Sequence, residues 1–298
     1  MSSTRVISLD FECSTPGSLN EALLALNQEG AQVLAGGTDL VNNIKINVAK
    51  PRRLVYILGI DELDSISLKG GCLVIGAGTR LSDIEHNRQV VSRFPALGEA
   101  INVIGGTQIR NMATLAGNIC NASPGADTPP ILLALDAEVD ICQLNGGAEI
   151  SHDRLPLGGF FSGPKKTVLK QGQMVSSVIL PLPREHSGAA FRRLARVSLD
   201  IAKINCAAYI EREGDRIRLA RVALGSVAPT PVRAPTIENA LQDQKYSERL
   251  LYQAAELVGE DITPIDDVRS TAAYRRQIAS LLVREAVEQA WRRARGER

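Results

Sequence analysis

The residues best suited to chemistry in this chain are not acids, bases or nucleophiles but small and amide-bearing residues in turns. Val33-Leu34-Ala35-Gly36-Gly37-Thr38-Asp39-Leu40 sets two glycines directly behind a short apolar run. Glycine lets a backbone approach a ligand closely and adopt positive φ, and the amides of such a turn can cradle a phosphate. Thr38 adds a hydroxyl donor. A second stretch, Ile109 to Asp127, crowds Asn111, Thr114, Gly117, Asn118, Asn121, Ser123 and Gly125 into a span too polar for a core strand. Its donors are expected to face a polar ligand rather than hydrophobic packing. A third, Arg192–Lys203, mixes charges before a polar Ser198-Leu199-Asp200-Ile201 turn; alone it reads as a charged edge strand with its loop.

Other chemistries find no pattern to rest on. No GxxxxGK followed by Ser or Thr occurs, and Gly76-Ala77-Gly78 meets Leu81 where a dinucleotide fingerprint needs its third glycine. GxSxG and HExxH are missing, and His86, His152 and His186 have neither a second histidine nor a thiol at ligand spacing. Cys13, Cys72, Cys120, Cys142 and Cys206 are scattered, which excludes a clustered metal or iron–sulfur site and predicts buried free thiols. A formal charge of +1 provides no field for nucleic acid or an anionic membrane. No apolar run reaches the roughly 20 residues that span a bilayer, and Asp10 and Glu12 spoil an export pattern, so the expectation is a cytoplasmic protein.

The elements that would position these turns fall into units. With 298 residues, more than one domain is expected. Residues 1–58 read as a small α/β unit: Ser18 caps a helix over Leu19–Leu26 with Glu21 three residues on, Gly30 ends it, and Ala31–Ala35 and Arg53–Leu58 are strands. Residues 59–180 read as a second α/β unit, with a strand at Cys72–Ile75, helices at Leu81–Asn87 and Leu97–Ile104, a poorly helical Ala113–Asn121, and a Gly146-Gly147 turn. Pro181-Leu182-Pro183 predicts a linker. Residues 184–298 then predict an α+β domain, with alternating runs at Ala189–Arg196, Ile204–Arg212 and Ile217–Gly225 and helices at Ile237–Gln242, Leu250–Val258 and Ala273–Arg293.

Taken together, the AGGT turn, the Ile109-Arg110-Asn111…Thr114…Gly117-Asn118…Ala122-Ser123-Pro124…Asp127 segment and the Asp200-Ile201-Ala202 element closely resemble the FAD-binding subunit of the molybdenum hydroxylases. These are the xanthine dehydrogenase, carbon monoxide dehydrogenase and 4-hydroxybenzoyl-CoA reductase type. The likeness spans nearly the whole chain. It implies an α+β architecture: two subdomains sandwiching an extended FAD, then an α+β domain of the CO dehydrogenase flavoprotein type whose sheet approaches the flavin ring. It implies that Val33, Leu34, Ala35, Gly36, Gly37, Thr38, Asp39 and Leu40 wrap the pyrophosphate, and that Thr114, Gly117, Asn118, Ser123 and Asp127 hold phosphates, ribityl chain and nearby groups. Arg192, Asp200 and Ile201 would lie close to the flavin ring, and Ile104 would touch the cofactor.

The same resemblance implies a partner large subunit with the molybdenum cofactor, a small subunit with 2Fe–2S clusters, and a soluble electron acceptor. FAD would join one-electron clusters to a two-electron acceptor, with no catalytic acid or base in this chain. Two departures stand out. Ala116 occupies a place where many relatives have glycine, and Thr38 one where some have histidine, so noncovalent FAD is expected. A stand-alone flavin oxidoreductase, or an assembly scaffold with a worn flavin site, remain the alternatives.

Overall fold

The computed structural model describes residues 7, 9–146 and 149–297. Gly147, half of the expected 146–147 turn, lies outside the described residues, whereas Gly146 takes the positive φ of 58° that such a turn requires. The first sheet is small and parallel, with β1 (Glu12–Ser14) and β2 (Ala31–Leu34) flanking β3 (Arg53–Tyr56). Helix α1 (Leu19–Leu26) opens as its sequence demands: Ser18 Oγ accepts from Glu21 N at 3.2 Å, and Gly17 N donates back to Glu21 Oε2 at 2.8 Å. Helix α2 (Leu40–Lys45) follows the double-glycine turn.

The second sheet has the order β4 (Ile66–Lys69), β5 (Cys72–Gly76), β10 (Met174–Pro181), β6 (Glu138–Asn145), β7 (Glu149–Pro156), and every pairing is antiparallel. Between β5 and β6 the chain forms α3 (Leu81–His86), α4 (Arg88–Arg93), α5 (Pro95–Asn102), α6 (Thr107–Arg110), α7 (Leu115–Cys120) and α8 (Thr128–Ala134). A β8 (Phe161–Gly163) and β9 (Lys166–Thr167) hairpin precedes β10. Two expectations change here. The Ala113–Asn121 stretch is helical over α7, because Thr114 caps it. Pro181 closes β10 opposite Cys72, at a strand end where its missing donor costs little.

The third sheet, β11 (Ser187–Leu194), β12 (Ile204–Glu213), β13 (Arg216–Gly225), β14 (Val232–Arg233), is an antiparallel meander. Its two faces follow from the period of two along each strand. Ala190, Cys206, Ala208, Ile210, Val222 and Leu224 pack with residues of α9 (Pro235–Leu241), α10 (Glu248–Glu256), α11 (Val258–Asp261) and α12 (Ala272–Ala294). Phe191, Ala207, Tyr209 and Ala223 join the core shared with the preceding sheets and α8. Each aliphatic side chain fully removed from water in these cores is worth about 1.5–3 kcal/mol. The five cysteines are free, but Cys13 is exposed and Cys72 and Cys120 are half-buried, so only Cys142 and Cys206 meet the expectation of burial. No helix among the described residues is long and apolar enough to cross a membrane.

Candidate functional site

Strand β2 ends at Leu34 and the chain turns through Gly36 and Gly37, the latter at φ +68°. Carbonyls of this turn serve α2: Gly37 O accepts from Val41 N at 3.0 Å, Asp39 O from Asn43 N at 2.9 Å, and Thr38 O from Asn42 Nδ2 at 2.8 Å. The amides of the turn have no such partners. Among the described residues, no acceptor is found for the N–H groups of Gly36, Gly37, Thr38, Asp39 and Leu40, although all but Asp39 are half-buried. Consecutive unpaired N–H groups beneath a partly covered surface call for an acceptor from outside the chain. Val33, Leu34 and Ala35, which lead into the turn, are also half-buried.

Gly36 brings the second segment to the first. A Cβ there would overlap the Met112 carbonyl, so the backbones of 36 and 112–113 lie against each other. Leu81 N donates to Ala113 O at 2.8 Å, and Arg80 and Thr114 form an isolated antiparallel bridge. Thr114 Oγ1 then caps α7 by accepting from Gly117 N at 3.0 Å. Asn118 Oδ1 accepts from Thr128 Oγ1 at 2.6 Å, which fixes the carboxamide and leaves its two donors for another partner. Ser123 is half-buried in the following turn, and its carbonyl accepts from Ala126 N at 3.1 Å. Ile104, also half-buried, is tied through its carbonyl to Arg110 at 3.4 Å rather than to Gly36 or Asp127.

Asp127, immediately before α8, joins the second segment to the C-terminal sheet. Its Oδ1 accepts from Arg193 Nε at 3.1 Å and from Asn205 Nδ2 at 2.9 Å; the same amide also reaches Ala126 O at 3.1 Å. Burial pushes the Asp127 carboxyl up from the usual carboxylate range, against the pull of the Asn205 hydrogen bond and the Arg193 charge. Arg193 also donates to Ser198 O at 3.1 Å and to Asp200 O, which holds the turn containing the expected Asp200 and Ile201. Asp200 Oδ2 takes Arg196 Nε at 2.9 Å, and the exposed Ile201 lies where a Cβ on Gly125 would have to go.

Arg192 does not join this group: its guanidinium extends to Glu285 of α12, Nε to Oε2 3.9 Å. Adjacent strand residues point to opposite faces, so only one of Arg192 and Arg193 can reach Asp127. Alternation from the buried Phe191 carried that signal in the sequence, yet Arg193 was missed. No group here is set up for acid–base or nucleophilic work. The thiol of Cys120, although the residue as a whole is half-buried, is desolvated by its surroundings and pushed up to about 12, and the described residues hold no cluster of His, Cys, Asp and Glu suited to a metal ion.

Two extended sequence matches decide the lineage. Residues 9–183 match the FAD binding domain in molybdopterin dehydrogenase, and residues 189–290 match the CO dehydrogenase flavoprotein C-terminal domain. The chain belongs to the molybdopterin dehydrogenase FAD-binding family. It is 32% identical to the carbon monoxide dehydrogenase medium chain of Hydrogenophaga pseudoflava over 95% of this chain and 98% of that protein. A putative xanthine dehydrogenase FAD-binding subunit of Escherichia coli is likewise 32% identical, over 92% of this chain and 93% of its own length. In three dimensions the fold superposes on a chain of the Hydrogenophaga pseudoflava carbon monoxide dehydrogenase with a TM-score of 0.91, at 32% identity, covering 97% of this chain and 99% of that one.

The flavoprotein architecture expected from the sequence is therefore present: an FAD-binding region followed by an α+β C-terminal domain. The amide-lined Gly36–Leu40 turn, which a Cβ at Gly36 would force away from Met112, fits an extended cofactor carrying phosphates.

Proposed function

We propose that this chain is the electron-transfer subunit of a molybdenum hydroxylase, binding FAD noncovalently between the Gly36–Leu40 turn, the Thr114–Asp127 segment and the 192–201 turn. The observation that carries this reading is the run of backbone amides at 36–40 without acceptors among the described residues, closed over by Met112 and Ala113. Those amides would bind the pyrophosphate, with the backbone and side chains of Val33–Ala35 excluding water behind it. Thr114, Gly117, Asn118 and Ser123 would orient the ribityl and phosphate groups, and Asp127 would act mainly through Arg193 and Asn205. Ile104, Asp200 and Ile201 would border the flavin end, whereas Arg192, expected there from the resemblance, is turned to Glu285 of α12 on the other face of β11. Bound FAD supplies one- and two-electron redox chemistry; the protein supplies shape, dipoles and hydrogen bonds.

On this reading 1–58 and 59–180 are the subdomains enclosing FAD, and 184–298 closes the flavin end. The partners are a molybdenum-cofactor large subunit and a 2Fe–2S small subunit in the cytoplasm, and the acceptor is NAD, oxygen or another soluble carrier. Support comes from relatives named as the medium chain of carbon monoxide dehydrogenase and the FAD-binding subunit of xanthine dehydrogenase. The test is the absorption spectrum of the purified chain, with the cofactor identified after acid release, set beside Gly36→Ala. The wild type is expected to show bands near about 370 and 450 nm and to release FAD. Gly36→Ala, which must part the two backbones, is expected to lose most bound flavin while keeping a cooperative unfolding transition. A wild-type chain that stays colourless after FAD addition would overturn the reading in favour of a scaffold.

A further inference from the structure

The turn joining β11 to β12 exposes Val197, Leu199 and Ile201, yet it is held from behind at several points. Arg193 spreads one guanidinium over three acceptors: Asp127 Oδ1, Ser198 O and Asp200 O. Lys203 N closes the turn on Leu194 O at 2.8 Å, and Arg275, itself buried, donates to Lys203 O at 3.0 Å. At its far side Ile201 lies against Gly125, and Ser226, just past β13, bridges the two, its Oγ donating to Ala202 O at 2.9 Å and its N to Pro124 O at 2.7 Å. The turn and the 123–127 segment are thus tied together, with Arg193 at the centre.

We infer that Arg193 is a positioning residue of the flavin site: it fixes the 197–201 turn against the Ser123–Asp127 segment and so sets the shape of the flavin end. This rests on the flavin reading and adds a residue to it. The chemistry requires arginine. A planar guanidinium can serve a carboxylate and two carbonyls lying in different directions, whereas an ammonium is a compact charge that cannot span all three at once. The Asp127 carboxylate is in turn oriented by Asn205, which is fully buried and also holds Ala126 O, so the acceptor does not swing to follow a misplaced donor.

The experiment uses the full chain loaded with FAD, in wild type, Arg193→Met, Arg193→Lys and Arg221→Met. Arg221 also joins the C-terminal sheet to the FAD-binding region, through Asp136 at 2.9 Å, and serves as the control for general loosening. Two readouts are taken: the rate of trypsin cleavage after the exposed Arg196, resolved by fragment mass, and the quenching of flavin fluorescence by iodide. Arg193→Met is expected to raise cleavage after Arg196 by about tenfold and iodide quenching by about threefold, because both report the open population of the turn. Arg193→Lys should fall between, and Arg221→Met should match wild type.

No change in Arg193→Met, or an equal change in Arg221→Met, overturns the assignment. If Arg193→Met does not fold, Arg193→Lys decides, since unchanged cleavage and quenching there also overturn it. If the wild-type chain takes up no FAD, the flavin reading fails while the trypsin comparison still judges whether Arg193 pins the turn.

Discussion

Helix α8 is bracketed by two aspartates, and each meets an arginine of the C-terminal sheet. At one end Asp127 and Arg193 lie 3.1 Å apart with both side chains 9% exposed. At the other, Asp136 and Arg221 lie 2.9 Å apart with side chains 56% and 22% exposed, and Arg221 rests over the Tyr209 ring beside a cavity of about 310 Å³. The residue types are the same and the distances nearly so. What differs is water. The exposed pair gains little from its charges because solvent screens them and both side chains lose freedom. The buried pair has traded hydration for fixed partners, and its geometry has few alternatives. At the buried end Arg193 also holds the 197–201 turn through Ser198 O and Asp200 O, a second task with no counterpart among the bonds of Arg221.

The largest expected effect breaks that comparison at its buried end. Removing one partner of a buried pair strands the other, so Arg193→Met is expected to destabilise the chain by about 3–5 kcal/mol in urea unfolding. A loss below about 1 kcal/mol would place this pair in the same class as the exposed one.

Much of this arrangement is legible in the sequence, and the reasons are local. Ser18 with Glu21, Gly30 at φ +73° and Gly37 at φ +68° each act within one turn of chain, so spacing alone exposes them. The 187–225 meander is visible because each strand pairs with its neighbour in sequence. Illegible were features decided by distant partners. Strand β10 enters the second sheet between β5 and β6, which precede it by many residues, so 59–180 reads as α/β although its strands pair antiparallel. Helix α7 looks poorly helical until Thr114 is recognised as its cap. Arg192 and Arg193 are adjacent basic residues in the sequence, and only the placement of α8 and α12 on opposite faces of β11 separates their roles.

At the exposed end the expectation is small. Arg221→Met should cost between about 0 and 1 kcal/mol, and less in high salt than in low, because a solvated pair is screened. A salt-insensitive loss of several kcal/mol would mean that the Tyr209 contact and the adjoining cavity wall, rather than the charges, set the value of this end, and the contrast with Asp127–Arg193 would have to be redrawn around packing.

The smallest effect is the one that bears on why the buried charges are there. Burial, opposed by Asn205 and Arg193, holds the Asp127 carboxyl above the usual range in the folded chain, while the unfolded chain titrates near about 3.9. The folded state therefore binds this proton more tightly than the unfolded one. The stabilisation that follows is complete below the unfolded pKa and is lost as pH rises through the folded value. Asp127→Asn removes the titration, so the stability of wild type relative to the variant is expected to fall as pH climbs from about 3.9 and to level off only above the raised folded value. Urea midpoints measured in parallel across that range would reveal it. A difference that instead grows with pH would show that Arg193 and Asn205 outweigh desolvation, making the carboxylate charge a net stabiliser. With the expected sign, ionising Asp127 costs stability, and what the pair contributes is placement: Asp127 gives Arg193 a fixed acceptor to lean on, and Arg193 holds the 197–201 turn.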